Sequence, residues 1–253
     1  MLKHRIIPCL LLRNGGLYKT IKFSNPKYVG DPINAIRIFN EKEVDELMVL
    51  DIGASREKRE PNYRYIEDLA GECFMPLAYG GGISSVEQAR RLFSLGVEKV
   101  TIQTGVLENF NLVTDIATRY GNQSVVVSLD IKRNMFGKPS IYSSAQATMI
   151  KGDWLEYLKG AVDAGAGEIL LNAVDKDGTL SGMDLDLISR ATSISAVPLI
   201  AVGGAGSLSD LKKAVDAGAD AVAAGSFFVF YGPYRAVLIT YPKYADLEQL
   251  FSK

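Results

Sequence analysis

Short apolar runs alternate with longer amphipathic stretches along almost the whole chain. The runs at 5–12, 46–51, 76–79, 99–103, 124–130, 168–172, 198–202 and 221–224 are mostly continuous rather than alternating. That is how strands buried on both faces read. Between them, 33–40, 63–71, 85–95, 111–120, 153–164, 184–192 and 207–217 read as helices. Several end in glycine at the expected stop, as at Leu95-Gly96 and Ala217-Gly218. Eight strands, each followed by a helical segment, predict the α/β class and a single (βα)8 TIM barrel. A doubly wound open sheet competes. It usually carries a glycine-rich turn after its first strand, and here Gly15-Gly16 has no such continuation.

An internal repeat decides between the two. The segment from Pro76 to Thr104 aligns without a gap onto Pro198 to Ser226, an offset of 122 residues. It pairs Gly81-Gly82 with Gly203-Gly204, Ser85 with Ser207, Gly96 with Gly218 and Val100 with Val222; Glu46 pairs with Glu168 at the same offset. A barrel of two half-barrels, about 1–122 and 123–253, explains this and an open sheet does not. The whole chain, 1–253, then reads as one domain, consistent with its 253 residues. Two connections, from Arg13 to about Asp31 and from Arg133 to about Gly152, are too long for minimal barrel turns. Both are expected at the C-terminal face, where they could close over a ligand.

Composition removes several functions. A net charge of −1 argues against a nucleic-acid protein. Two cysteines, Cys9 and Cys73, build no disulfide framework, and the single histidine, His4, excludes His-rich zinc sites and a Ser-His-Asp triad. No run approaches a membrane span, and the first residues show no signal peptide. The expectation is a cytoplasmic protein without metal or cofactor, with no nucleic-acid or membrane partner.

The remaining candidates lie where predicted strands end. Glycine clusters follow the third, sixth, seventh and eighth strands: Gly80-Gly81-Gly82, Asp177-Gly178, Gly203-Gly204 and Gly225-Ser226. Glycine lets backbone N–H groups approach phosphate oxygens, although a tight turn needs glycine as well. Because Gly82 and Thr104 mirror Gly204, Gly225 and Ser226, two anion sites across the mouth are predicted, suited to a ligand phosphorylated at both ends. Asp51 ends the second strand and Asp130 the fifth, while Asp175 and Asp177 follow the sixth. Such carboxylates are default general acids or bases, or else loop hydrogen-bond acceptors; Asp130 has no adjacent helix to cap. Lys19 could supply charge to a phosphate or be solvated, and Lys22 reads as a surface lysine. Arg5, Glu46, Lys99 and Glu168 stand near strand starts. They could pair into a ring at the barrel base, although spacing alone favours four separate surface charges.

The segments RIIPCL, DELMVLDI, YGGGI, GVEKVTI, GAGEILL, DKDGTLSG, GGAGS and GADAVAAGS together closely resemble the cyclase subunit of imidazole glycerol phosphate synthase. The resemblance covers nearly the entire chain. It implies a barrel whose N-terminal face docks a glutaminase, with ammonia entering through a ring of four charges matched here by Arg5, Glu46, Lys99 and Glu168. Lys19, Asp51, Gly82, Thr104, Asp177, Gly178, Gly204, Gly225 and Ser226 match family site positions, and Asp130 matches one of two catalytic aspartates. The other falls on Leu11, which cannot move a proton. Gln103 and Val202 stand where the family has asparagine and serine. PKYVGDPINAIRIFNEKEVDEL and FFVFYGPYRAVLITYP resemble a divergent branch. Its members serve a glutaminase and a separate sugar amidotransferase, delivering ammonia for acetamidino sugars of surface polysaccharide or flagellin glycan. Two further readings stay open: a true histidine-pathway cyclase (a lyase), and a non-catalytic barrel that docks and activates the glutaminase.

Overall fold

The computed structural model describes residues 4–107 and 109–252; Met1 to Lys3 of the stretch read for a signal peptide lie outside them. Eight parallel strands close into a barrel: β1 (Arg5–Arg13), β2 (Leu47–Asp51), β3 (Leu77–Gly80), β4 (Lys99–Ile102), β5 (Val125–Arg133), β6 (Glu168–Ala173), β7 (Leu199–Val202) and β8 (Ala221–Ala224). β1 pairs with both β2 and β8, and β5 with both β4 and β6, so none of the eight has a free edge. Helices alternate with them: α1 (Pro32–Glu41), α2 (Tyr63–Glu72), α3 (Val86–Ser94), α4 (Asn111–Tyr120), α5 (Trp154–Asp163), α6 (Leu185–Thr192) and α7 (Leu208–Asp216). After β8 stands a single turn, α8 (Ser226–Val229); a short antiparallel pair, Phe230–Tyr231 with Ala236–Val237, then leads to α9 (Tyr244–Phe251).

Two apolar cores result. The larger lies between strands and helices; the smaller fills the barrel with Ile7, Cys9, Met48, Ala78, Val126, Leu170, Ile200 and Ala223. The half-barrel repeat is visible in the backbone. Ser85 and Ser207 cap α3 and α7 at nearly the same angles, φ −146° and −152°, each accepting from the N–H three residues on. Gly81 and Gly203 share the left-handed region at φ 118° and 104°, as do Gly96 and Gly218 at 98° and 108°. A side chain at any of the four would be strained.

The two long connections are hairpins rather than loops. Gly16–Ile21 folds back on β1, pairing Leu11 with Tyr18, and Ser24–Gly30 pairs with it in turn. Asn14 and Gly15, at φ 49° and 77°, form the tight turn that Asn-Gly favours. Pro139–Ser143 likewise returns along β5, pairing Ile141 with Ile131. The tip of the first hairpin is strained: Lys22 and Phe23 both adopt positive φ, 52° and 61°.

Candidate active site at the barrel mouth

Strand alternation decides which side chains enter the barrel. On β1, Arg5, Ile7, Cys9 and Leu11 face inward; on β5 and β6, Asp130 and Asn172 stand opposite each other at the upper end. Asp130 is buried. It accepts from Gln103 Nε2 at 2.8 Å, and Ser128 Oγ lies 3.5 Å away. Burial pushes its carboxyl up to about 7; Asp177 pushes the same way, while hydrogen bonds from Asn172 and Ser128 oppose the rise. A carboxyl poised there can both take and give a proton at neutral pH. Gln103 also donates to Tyr142 O at 2.8 Å and accepts from Ser144 Oγ at 3.3 Å, tying Asp130 to the second hairpin. Facing this site from β1, Leu11 presents only hydrocarbon; it pairs with Leu50 and Tyr18.

Lys19 sits on the first hairpin and is buried, its ammonium donating to Cys9 O at 2.6 Å. Burial pulls its pKa below the ordinary lysine value, partly countered by Cys9 and Asp177. A Cβ on Gly225 would stand 2.5 Å from Lys19 Nζ, so glycine at 225 is what seats the lysine. Lys22 is exposed at the hairpin tip.

The structure does not bring Asp51 to Asp130. Its carboxylate accepts from Gly53 N at 2.9 Å and Ala54 N at 3.1 Å and pairs with Arg59 at 3.5 Å, organising the turn after β2. Asp175 accepts from Arg133 N at 2.7 Å. Asp177 holds the first hairpin closed. Its carboxylate accepts from Thr20 Oγ1 at 2.8 Å and Phe23 N at 3.5 Å, and its carbonyl accepts from Lys22 N at 2.9 Å. The strained tip is thus fixed by one residue, and Phe23 reaches Tyr142 across the mouth with ring centroids 6.4 Å apart. Gly178 is essential to this closure: at φ 68°, its Cβ would meet Thr20 O at 1.9 Å. Gly178→Ala should lift the hairpin at a cost on the order of 1–3 kcal/mol. Urea unfolding and faster proteolysis between residues 16 and 30 would register it; an unmoved midpoint and cleavage pattern would refute it.

The glycines gather in two places at the mouth. Gly178, Gly204, Gly225 and Ser226 line a small pocket of about 20 Å³, with Asp177 beside them. In the other half, Gly82 N donates to Ser55 Oγ at 3.3 Å, and Arg59 O lies 2.4 Å from where a Gly82 Cβ would stand. Thr104 opens a three-residue turn there, Thr104–Val106, and its hydroxyl lies 3.5 Å from Gln103 Oε1. α8 is a single turn as well, so neither Thr104 nor Ser226 opens a long helix.

At the opposite end, the spacing-based preference for separate surface charges is corrected. Arg5, Glu46, Lys99 and Glu168 close a ring: Arg5 to Glu46 at 2.5 Å and Glu168 at 2.8 Å, Lys99 to Glu46 at 2.9 Å and Glu168 at 3.3 Å. All four share the inward parity of their strands, as the interior positions Ile7, Met48 and Leu170, two residues beyond Arg5, Glu46 and Glu168, show. Burial works against the Arg5 charge, but Glu168 and Glu46 hold its guanidinium above the ordinary value.

Fold and mouth together define a (βα)8 barrel of the twofold-repeat type, with one axial carboxyl at the C-terminal end and a charged ring at the base. The family model described as "Histidine biosynthesis protein" matches residues 5–234, and the chain belongs to that family. A protein of Pseudomonas aeruginosa named "Putative imidazole glycerol phosphate synthase subunit hisF2" is 53% identical over 249 residues, 98% of this chain and 99% of the relative. A Leptospira interrogans protein, "Putative imidazole glycerol phosphate synthase subunit HisF", is 52% identical over 255 residues, 99% and 100% of the two chains. The "Imidazole glycerol phosphate synthase subunit HisF" of Dictyoglomus turgidum is 43% identical over 232 residues, 91% of each. Among the described residues, no helix is long and apolar enough to cross a membrane.

Reading the sequence left several participants unrecognised. Asn172 lies two and four residues beyond Leu170 and Glu168 on one strand face, a period that could have found it. Tyr142, reached only through the second hairpin, left no local signal.

Proposed function

We propose that this chain is the synthase subunit of a glutamine-dependent assembly: it takes up ammonia at its base and passes it along the barrel axis. The product serves amidation of a sugar rather than closure of an imidazole ring. One observation carries the reading: the charged ring is complete beneath an apolar interior, while the mouth keeps one axial carboxyl, Asp130, opposite Leu11. Neutral ammonia crosses an apolar passage at little desolvation cost, whereas ammonium pays heavily. Ring closure needs a proton taken and a proton given, and one carboxyl of a facing pair is missing.

The glutaminase binds the N-terminal face, around the ring, and a separate sugar amidotransferase completes the assembly. Asp130 and Lys19 act at the mouth, and Asp51 supports the turn beside it. Gly82, Thr104, Asp177, Gly178, Gly204, Gly225 and Ser226 form two shelves for a small phosphorylated ligand. The chain works in the cytoplasm.

The test is a cyclase assay at mildly alkaline pH with free ammonium salt and the ribulosyl-formimino-aminoimidazole carboxamide substrate. The expected result is turnover far below that of a barrel with both carboxylates, with recovery in Leu11→Asp. High turnover by the unaltered chain would sink the sugar reading and make this a histidine-pathway cyclase.

A further inference from the structure

We propose that Arg235 contacts the ligand at the second glycine shelf, as the cation that selects a phosphate monoester dianion there. The proposal rests on the reading of that shelf as an anion site. Arg235 stands immediately beyond the segment that the family model matches, in a turn closed by its own N–H to Gly232 O at 3.1 Å. Its Nη2 donates to Gly178 O at 2.6 Å, which ties the guanidinium to the backbone of a residue lining the pocket that Asp177, Gly204, Gly225 and Ser226 also line.

Its charge is not spent elsewhere. Arg133 is matched by Asp184 and Asp186, and Arg59 by Asp51 and Glu57. Among the described residues, no carboxylate lies within ion-pair distance of Arg235 or of Lys27. Both cations instead share the Phe230 ring, at 5.6 and 5.5 Å from its centroid. A guanidinium carries five donors in a planar fork, and one suffices for the Gly178 carbonyl. The others match two phosphate oxygens, next to the buried Lys19 ammonium that lies against Gly225. At the first shelf Ser55 occupies the Gly82 N–H and Arg59 is already paired, while Arg56 donates to the backbone carbonyl of Ser144 at 3.1 Å.

Arg235 could instead only pin its turn to Gly178, and the two roles separate experimentally. The full chain is titrated calorimetrically with inorganic phosphate and with glycerol 3-phosphate at fixed ionic strength, from pH 5.5 to 8. Arg235→Gln removes the charge and, its amide being two bonds shorter, releases the Gly178 carbonyl as well; Arg235→Lys keeps the charge and removes the fork. Arg90→Gln on α3 serves as a charge-matched control. The unaltered chain and the control should bind more tightly as phosphate becomes a dianion. Arg235→Gln should weaken binding about 10-fold or more and flatten that pH dependence, with Arg235→Lys in between. Equal affinity in Arg235→Gln, or a loss that is the same at every pH, overturns the role of Arg235. No phosphate binding by the unaltered chain overturns the anion reading of the shelf itself.

Discussion

Asp130→Asn is expected to lower product formation by the reconstituted assembly about 10²–10⁴-fold, the usual worth of a positioned acid or base. Asparagine can still accept from Gln103 Nε2, so the contacts around the site survive and the proton does not. With its carboxyl raised to about 7, the unaltered protein should show a rate that changes through an apparent pKa near 7, and the variant's residual rate should not. The same substitution makes a thermodynamic prediction of definite sign. Between pH 4 and 7 the folded protein keeps the Asp130 proton and the unfolded chain releases it. Unfolding therefore releases a proton, and stability falls as pH rises through that window. The contribution is complete below about pH 4 and gone above about 7. The gap between 3.8 and about 7 sets a ceiling of about 4 kcal/mol. Asp130→Asn should remove this slope and leave the variant more stable than the parent at pH 8. Urea midpoints at pH 5 and pH 8 measure it. An unchanged rate would assign the barrel a docking role only; an unchanged slope would mean that Asp130 ionises freely in the fold.

The parts of the structure that follow from local pattern were readable in the chain. Continuous apolar runs, glycine stops and the repeat at 122 residues fix a closed barrel of two halves, because each reports on burial or backbone conformation at its own position. The hairpins were half visible. Asn14-Gly15 is a strong turn signal, but Lys22-Phe23 gives none, and the hydrogen bonds that hold it come from Asp177, 154 residues beyond Phe23. Direction is what sequence conveys least. Asp51 and Asp130 both end a strand; one turns to the backbone of its own loop and the other to the axis, and only the parity of each strand separates them. The charged ring depends on the same parity, compounded by the stagger of strands around the barrel. Arg235 was unreadable for a different reason: its partner, Gly178 O, is a main-chain atom 57 residues away.

Glu46→Ala is expected to destabilise the fold by about 3 kcal/mol, at the low end of what breaking a buried ion pair costs. Glu46 is the most enclosed member of the ring, its side chain only 3% exposed, and it accepts from both Arg5 and Lys99. Removing it leaves two cations leaning on Glu168 alone and facing each other. Arg5, whose side chain is 28% exposed, can recover some hydration from the base of the barrel, and this keeps the loss from the upper end of the range. Glu46→Gln should fall between, since the amide oxygen still accepts while the charge is gone. The cost arises from stranded charge, not from lost attraction. Replacing all four members together by apolar residues of similar volume should therefore be far less harmful than removing one, although it would close the polar base of the barrel. Chemical denaturation of the three variants separates these cases. If Glu46→Ala unfolded within about 0.5 kcal/mol of the parent, the ring would behave as solvated surface charge. In the assembly, glutamine-driven and ammonium-driven product formation should diverge in Glu46→Gln. Bulk ammonia reaches the mouth from solvent, whereas ammonia released by a partner at the base must pass the altered ring. A constant ratio between the two rates would remove the ring from the path of ammonia and leave it a structural closure of the barrel floor.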